Sequence, residues 1–150
     1  MAGPTTMTAP RDPQSGIIAT DFFVYNTEFS NVLAGTSQTN TINIQSDSDF
    51  EVQKLTALIL NVNSAPYSSL DVDNIRVLIV DTGTGRQLSD VAVPIDSMFG
   101  TGQLPFILPN TKLFKARSVI SVQVTNSMSG YNYSTIMLSF IGRKVFRGYQ

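Results

Sequence analysis

Apolar and polar residues alternate along this chain with a period of two, the signature of half-buried β-strands rather than helices. In residues 39–45, Ile42 and Ile44 point one way and Thr41 and Asn43 the other. In residues 119–125, Ile120, Val122 and Val124 alternate with Ser121, Gln123 and Thr125. The run 50–62 starts with Phe50 and Val52 in one phase and continues with Leu55, Ala57 and Ile59 in the other. A phase change inside one strand predicts a β-bulge or a passage between sheets. Further strands are predicted at 21–25 (DFFVY), 74–81 (NIRVLIVD, apolar enough to be covered on both faces), 86–93, 104–108 and 133–146. The segment 104–108 is fenced by prolines, which places it at a sheet edge. Residues 82–85 (TGTG) read as the hairpin turn after 74–81. One helical turn is expected near residues 95–98.

About eight strands spaced 8 to 15 residues apart, with no repeat period, predict an all-β antiparallel sandwich of jelly-roll type. Residues 1–16 hold Pro4, Pro10 and Pro13 and little apolar material, and are expected to form an extended arm. The sandwich domain then spans residues 17–150.

Composition narrows the chemistry. The 150 residues contain no Cys and no His. That removes thiolate metal sites, disulfides, cysteine nucleophiles, Ser-His-Asp chemistry and His-ligated metals, so no enzyme and no cofactor is expected. No segment reads as an export signal or a membrane span, so the chain is expected to be soluble and made in a cytoplasm. Charged residues make up 14%, about half the ordinary share, while short polar residues are abundant. Such a surface suits a protein largely covered by partners.

Four motifs invite a chemical reading. Gly83-Thr84-Gly85 lacks the Lys-Ser/Thr and the following helix of a phosphate loop. Asp47-Ser48-Asp49 and Asp71-Val72-Asp73 are carboxylate pairs that suit Ca²⁺ only if two loops meet; Asx turns are the simpler role. Tyr25, Tyr67, Tyr131 and Tyr133 form either a sugar platform or half-buried strand ends. Asn132-Tyr133-Ser134 matches a glycosylation acceptor, which has no use without secretion.

Charge is distributed unevenly. All 11 acids lie between Asp12 and Asp96, leaving residues 1–110 at −7 and residues 111–150 at +6. Lys112, Lys115, Arg117, Arg143, Lys144 and Arg147, together with Arg11 in the arm, are the candidate partner-binding residues. If 112–117 and 143–147 converge they make a basic face. Protein docking is the favoured use, because aromatic side chains are not interleaved as a nucleic-acid platform requires.

Three passages resemble the capsid cement or decoration proteins of tailed bacteriophages. One runs from Phe22 to Phe50 through Leu33-Ala34-Gly35-Thr36-Ser37 and the Asp47-Ser48-Asp49-Phe50 corner. Another is the apolar segment 104–109 leading into 112–124 and Val124-Thr125-Asn126. The last is Phe140-Ile141-Gly142-Arg143-Lys144-Val145-Phe146. The resemblance implies a homotrimer on the outside of a phage head, bound to the major capsid protein and bridging capsomers. No membrane or nucleic-acid partner is implied. The arm and the C-terminal strand would be contact elements. Two other readings remain open: a neck, tail or head-fibre component, and a carbohydrate- or receptor-binding jelly-roll module.

Overall fold

A computed structural model describes residues 16–61, 74–127 and 132–148. Among the described residues nine strands follow one another: β1 Ile17–Val32, β2 Ser37–Asn43, β3 Asp49–Asn61, β4 Ile75–Asp81, β5 Arg86–Gln87, β6 Val93–Pro94, β7 Phe106–Phe114, β8 Val119–Asn126 and β9 Tyr133–Arg147. A 3-10 turn at Ile95–Ser97 occupies the position where one helical turn was expected. The strands form two antiparallel sheets. One is ordered β1-β9-β3-β7, and the other β2-β8-β4-β5 with β6 also on β4. The chain is thus an all-β sandwich, as the alternation predicts. Pairing is nested, β1 with β9, β2 with β8, β3 with β7 and β4 with β5 and β6, like a long ribbon folded on itself.

The core lies between the sheets. Tyr25, Phe29, Phe50, Val52, Leu55, Phe114, Ile136, Leu138 and Phe140 project from the first, and Ile42, Ile75, Val77, Ile79, Ile120, Val122 and Val124 from the second. These are the in-phase residues of each strand, and removing them from water is the main stabilising term. Tyr25 packs edge-on to Phe23 and Phe50 at 4.8 and 4.7 Å between ring centroids, and its hydroxyl accepts the Gln45 N–H at 2.9 Å. Among the described residues no buried side-chain polar atom lacks a partner.

The phase change in β3 is a bulge between Val52 and Lys54, seen in register against both β7 and β9. It keeps Val52 and Leu55 on the core side although they are three residues apart. Opposite it sits Gly142, where a Cβ would meet the Glu51 carbonyl and the Val52 backbone. Only a residue without a Cβ lets β9 pass the bulge at this spacing.

Four strand expectations need correction. The expected strand 86–93 is two short pieces, Arg86–Gln87 and Val93–Pro94, each paired with β4. β1 runs well beyond residues 21–25, because its polar residues from Asn26 to Ser30 occupy the solvent side of a strand whose other side carries Thr27 and Phe29. β4 is covered on one face, with Arg76 exposed and Leu78 and Val80 half-buried on the other. β7 continues through Pro109 to Phe114, which its edge position permits because no neighbour needs the missing N–H. The arm expectation falls outside the described residues apart from Gly16, whose carbonyl accepts the Gly148 N–H.

Candidate interaction face

Strand pairing places the even-numbered residues of β1 on the outer face of the four-stranded sheet, and the register carries the rows across it. One row reads Phe22, Arg143, Glu51, Leu113, and the next Val24, Ile141, Lys54, Ile107. Asn26, Ser139 and Thr56 form a polar row, in which the Ser139 hydroxyl bonds the Asn26 side-chain oxygen at 2.9 Å. Glu28, Met137 and Leu58 come next. Phe22 is 75% exposed, Ile107 65% and Leu58 48%, with Val24 and Leu113 also in solvent. The outer face of the other sheet carries Thr39, Thr41, Asn43, Ser121, Gln123 and Thr125 instead. The large apolar side chains that are exposed within strands therefore all belong to the first sheet; Leu78 and Val80 on the other outer face are half-buried, and Leu33, Val91 and Leu104 are exposed outside the strands. Sequence reasoning missed these residues because DFFVY reads as core on both phases. The usable signal was that Phe23 and Tyr25 cannot share a face with Phe22 and Val24.

At one end of this sheet the basic residues meet acids. Segments 112–117 and 143–147 do converge, but on β3 and the turn leading into it, which bring Asp47, Asp49 and Glu51 among them. Arg143 Nε bonds Glu51 at 2.5 Å, Arg147 Nε bonds Asp49 at 2.9 Å, and Lys144 Nζ bonds Asp47 at 3.0 Å. Lys144 is buried; its ammonium also donates to Gln45 Oε1 at 2.6 Å and stands 4.3 Å from the centre of the Phe23 ring. The second Asp49 oxygen accepts the Ala116 N–H at 2.9 Å, which ties the β7–β8 turn to the start of β3. Of the predicted cations, Lys112, Lys115 and Arg117 have no ion-pair partner among the described residues. Lys112 is half-buried at the β7 edge, while Lys115 and Arg117 are exposed on the turn. Arg11 lies outside the described residues.

Two carboxyls here sit below their ordinary values. The Lys144 ammonium bonded to Asp47 holds that carboxyl down. Burial alone would raise Glu51, but the Thr111 hydroxyl and the Arg143 guanidinium outweigh it and lower the carboxyl. A lowered folded-state value means stability that is complete above the unfolded value, 4.5 for Glu51, and lost as pH falls through the folded one. The urea midpoint is therefore expected to hold from pH 7 to about 5 and to fall below about pH 4.5. Glu51→Gln should cost about 1 kcal/mol at pH 7 and less at pH 3. An equal cost at both pH values would show that charge is not what Glu51 contributes.

The other motifs have structural duties. Gly83 and Gly85 lie in the β4–β5 turn, where Asp81 Oδ1 accepts the Gly83 N–H at 3.1 Å and Gly85 has φ 73°. Among the described residues no group of three or more acids suits a metal ion; Asp71 and Asp73 lie outside them. Tyr25 and Tyr133 are core residues, and Tyr67 and Tyr131 are not among those described. Asn132 Oδ1 accepts the Ala34 N–H at 2.8 Å. No helix among the described residues is long and apolar enough to cross a membrane.

No family model matches the chain, and no curated protein matches it. Solved structures that align with the chain include the infectious bursal disease virus VP2 subviral particle, at TM-score 0.33 and 12% identity over 89% of this chain and 39% of that chain. The complex of the Aeromonas sobria serine protease with its chaperone ORF2 matches at TM-score 0.33 and 10% identity, over 96% of this chain and 29% of that chain. The chain spans less than two-fifths of the length of either, and likenesses of this size carry no functional weight.

Proposed function

We propose that the chain is a structural protein of a virus particle, a capsid cement or decoration protein that docks on the major capsid lattice through the outer face of its β1-β9-β3-β7 sheet. The observation that carries this reading is the one-sided placement of Phe22, Val24, Leu58, Ile107 and Leu113 in solvent. Large apolar side chains gathered in solvent on one face, here interspersed with charged and polar rows, mark an interaction site. The low charge content points the same way. The nested pairing supports the jelly-roll reading, a fold used by viral capsid and lectin domains, and the resemblance to phage cement proteins supplies the choice between them. Lys115 and Arg117 flank the apolar face and supply the charged rim expected of such a contact.

The test is co-sedimentation with empty shells assembled from the major capsid protein of the genome that encodes the chain. The chain is expected to bind across the shell, and Ile107→Lys to weaken binding at least tenfold by setting a charge in the contact. Neutralising Lys115 and Arg117 should mainly flatten the salt dependence. Unchanged binding by Ile107→Lys would remove the face from the contact. Labelling confined to one vertex in electron micrographs would favour a neck, tail or head-fibre component.

A further inference from the structure

Sheet edges are where two copies of a β-sandwich most readily join, and three of the edge strands here are blunted. β7 carries Pro109 within it, β5 has two residues, and β6 has two of which one is Pro94. β1 is different. It has 16 residues, no proline and no lysine, and among the described residues it pairs with β9 alone. Long unprotected edges of this kind are templates for another strand.

The β1 edge is open over only part of its length. The Gln38 side-chain amide donates to the Ser30 carbonyl at 2.9 Å, and the Asn40 amide to the Glu28 carbonyl at 2.7 Å. Both groups therefore point away from β9, and alternation puts the N–H and C=O of Thr20, Phe22, Val24 and Asn26 on the same outward side. No bond from the described residues reaches these. A bulge at Ile18 ends the open stretch on one side and the Asn40 amide on the other. The open window is thus residues 20–26.

We propose that this window pairs with the same window of a second copy, antiparallel about a two-fold axis at Phe23. The arrangement is self-complementary, as an isologous contact must be. Phe22 of each copy faces Val24 of the other, and Thr20 faces Asn26, so all four outward-pointing residues of each strand meet outward-pointing partners. The exposed side chains of Phe22 and Val24 lie on one face of the joined sheet and form an unbroken apolar strip with those of the second copy. The acids stay apart, since Asp21 faces Tyr25 and Glu28 faces Ile18 across the axis. The other conceivable strand, residues 1–15, fits less well. Its prolines at 4, 10 and 13 leave only five consecutive proline-free residues between Pro4 and Pro10. The contact closes on two copies, unlike the trimer that the family resemblance implies, and it does not depend on binding to any shell.

Light scattering on the full chain at tens of micromolar tests it. A mass of two chains is expected; a monomer or a trimer overturns the proposal. Val24→Pro removes one outward N–H without touching the β9 pairing and should give a monomer with unchanged circular dichroism, whereas a persistent dimer would overturn the pairing. Should Val24→Pro fold poorly, Val24→Lys carries the same expectation. Because the chain has no cysteine of its own, an equimolar mixture of the Phe22→Cys and Val24→Cys variants reports the register. Directly opposed strand residues are within disulfide reach. The mixture should crosslink several-fold faster than either variant alone, and equal rates would rule this alignment out.

Discussion

Replacing Phe50 with alanine is expected to cost about 3–5 kcal/mol, the range for deleting a fully buried aromatic ring. Phe50 is 1% exposed. It lies where β3 meets both neighbours, opposite Phe114 on one side and Lys144 on the other. Its ring packs edge-on against Tyr25 and Phe23, and the surrounding crevice is completed by Ile42, Ile44 and Phe140. Side chains from both sheets thus lose contacts together, and held strands relax only partly into the space. In a domain of this size the melting temperature should drop by roughly 10 °C. Urea denaturation of Phe50→Ala beside Phe22→Ala separates the two faces of the sheet. The second ring is exposed, and its loss should stay within about 0.5 kcal/mol. Similar costs for the two variants would contradict the assignment of inner and outer faces.

Gly142→Ala should be nearly as damaging, by an opposite mechanism. One added carbon would press on the Glu51 carbonyl where β9 crosses the β3 bulge, and the listener to that strain is backbone in a central strand, not a flexible side chain. A loss of about 3 kcal/mol is expected, at the upper end for overpacking. Gly35 makes a useful contrast. It has φ 72° and open space around its missing Cβ, so Gly35→Ala should cost only about 1 kcal/mol from the left-handed backbone. Equal losses at the two positions in equilibrium unfolding would mean that the close approach of β3 and β9 does not limit Gly142.

What could be read from the sequence follows from how far each signal reaches along the chain. The alternation in β8 and around Ile42 and Ile44 named core residues directly, since each strand carries its own pattern. The phase slip after Val52 announced the bulge for the same reason. The length of β1 was hidden because Asn26, Glu28 and Ser30 look like loop residues until Phe29 is recognised as in phase with Tyr25. The exposed face was hidden more deeply. Phe22, Val24 and Ile107 are apolar, and only pairing with β9 and β3 shows that they point away from the core. The basic cluster shows the same limit. Lys144 and its partner Asp47 are distant in sequence, and nothing local to either reveals that antiparallel pairing of β3 and β9 sets acid against base. The separation of charge along the chain was legible, and its cancellation in space was not.

The placement of β9 has a consequence for how the molecule comes into being. Residues 133–147 are synthesised after the other eight described strands, yet they form the second strand of the β1-β9-β3-β7 sheet, between the first strand and the third. Until they emerge from the ribosome, β1 has no neighbour in its sheet and β3 is held on one side only. The nascent polypeptide therefore carries exposed aromatic strands until β9 is made, the condition in which chaperone capture and aggregation compete with folding. Closure of the sheet follows translation of β9 and joins residues from opposite ends of the domain in one late step, as slow folding of non-local β topologies requires. A message truncated before codon 133 would encode the other eight described strands and still leave β1 without a partner in its sheet.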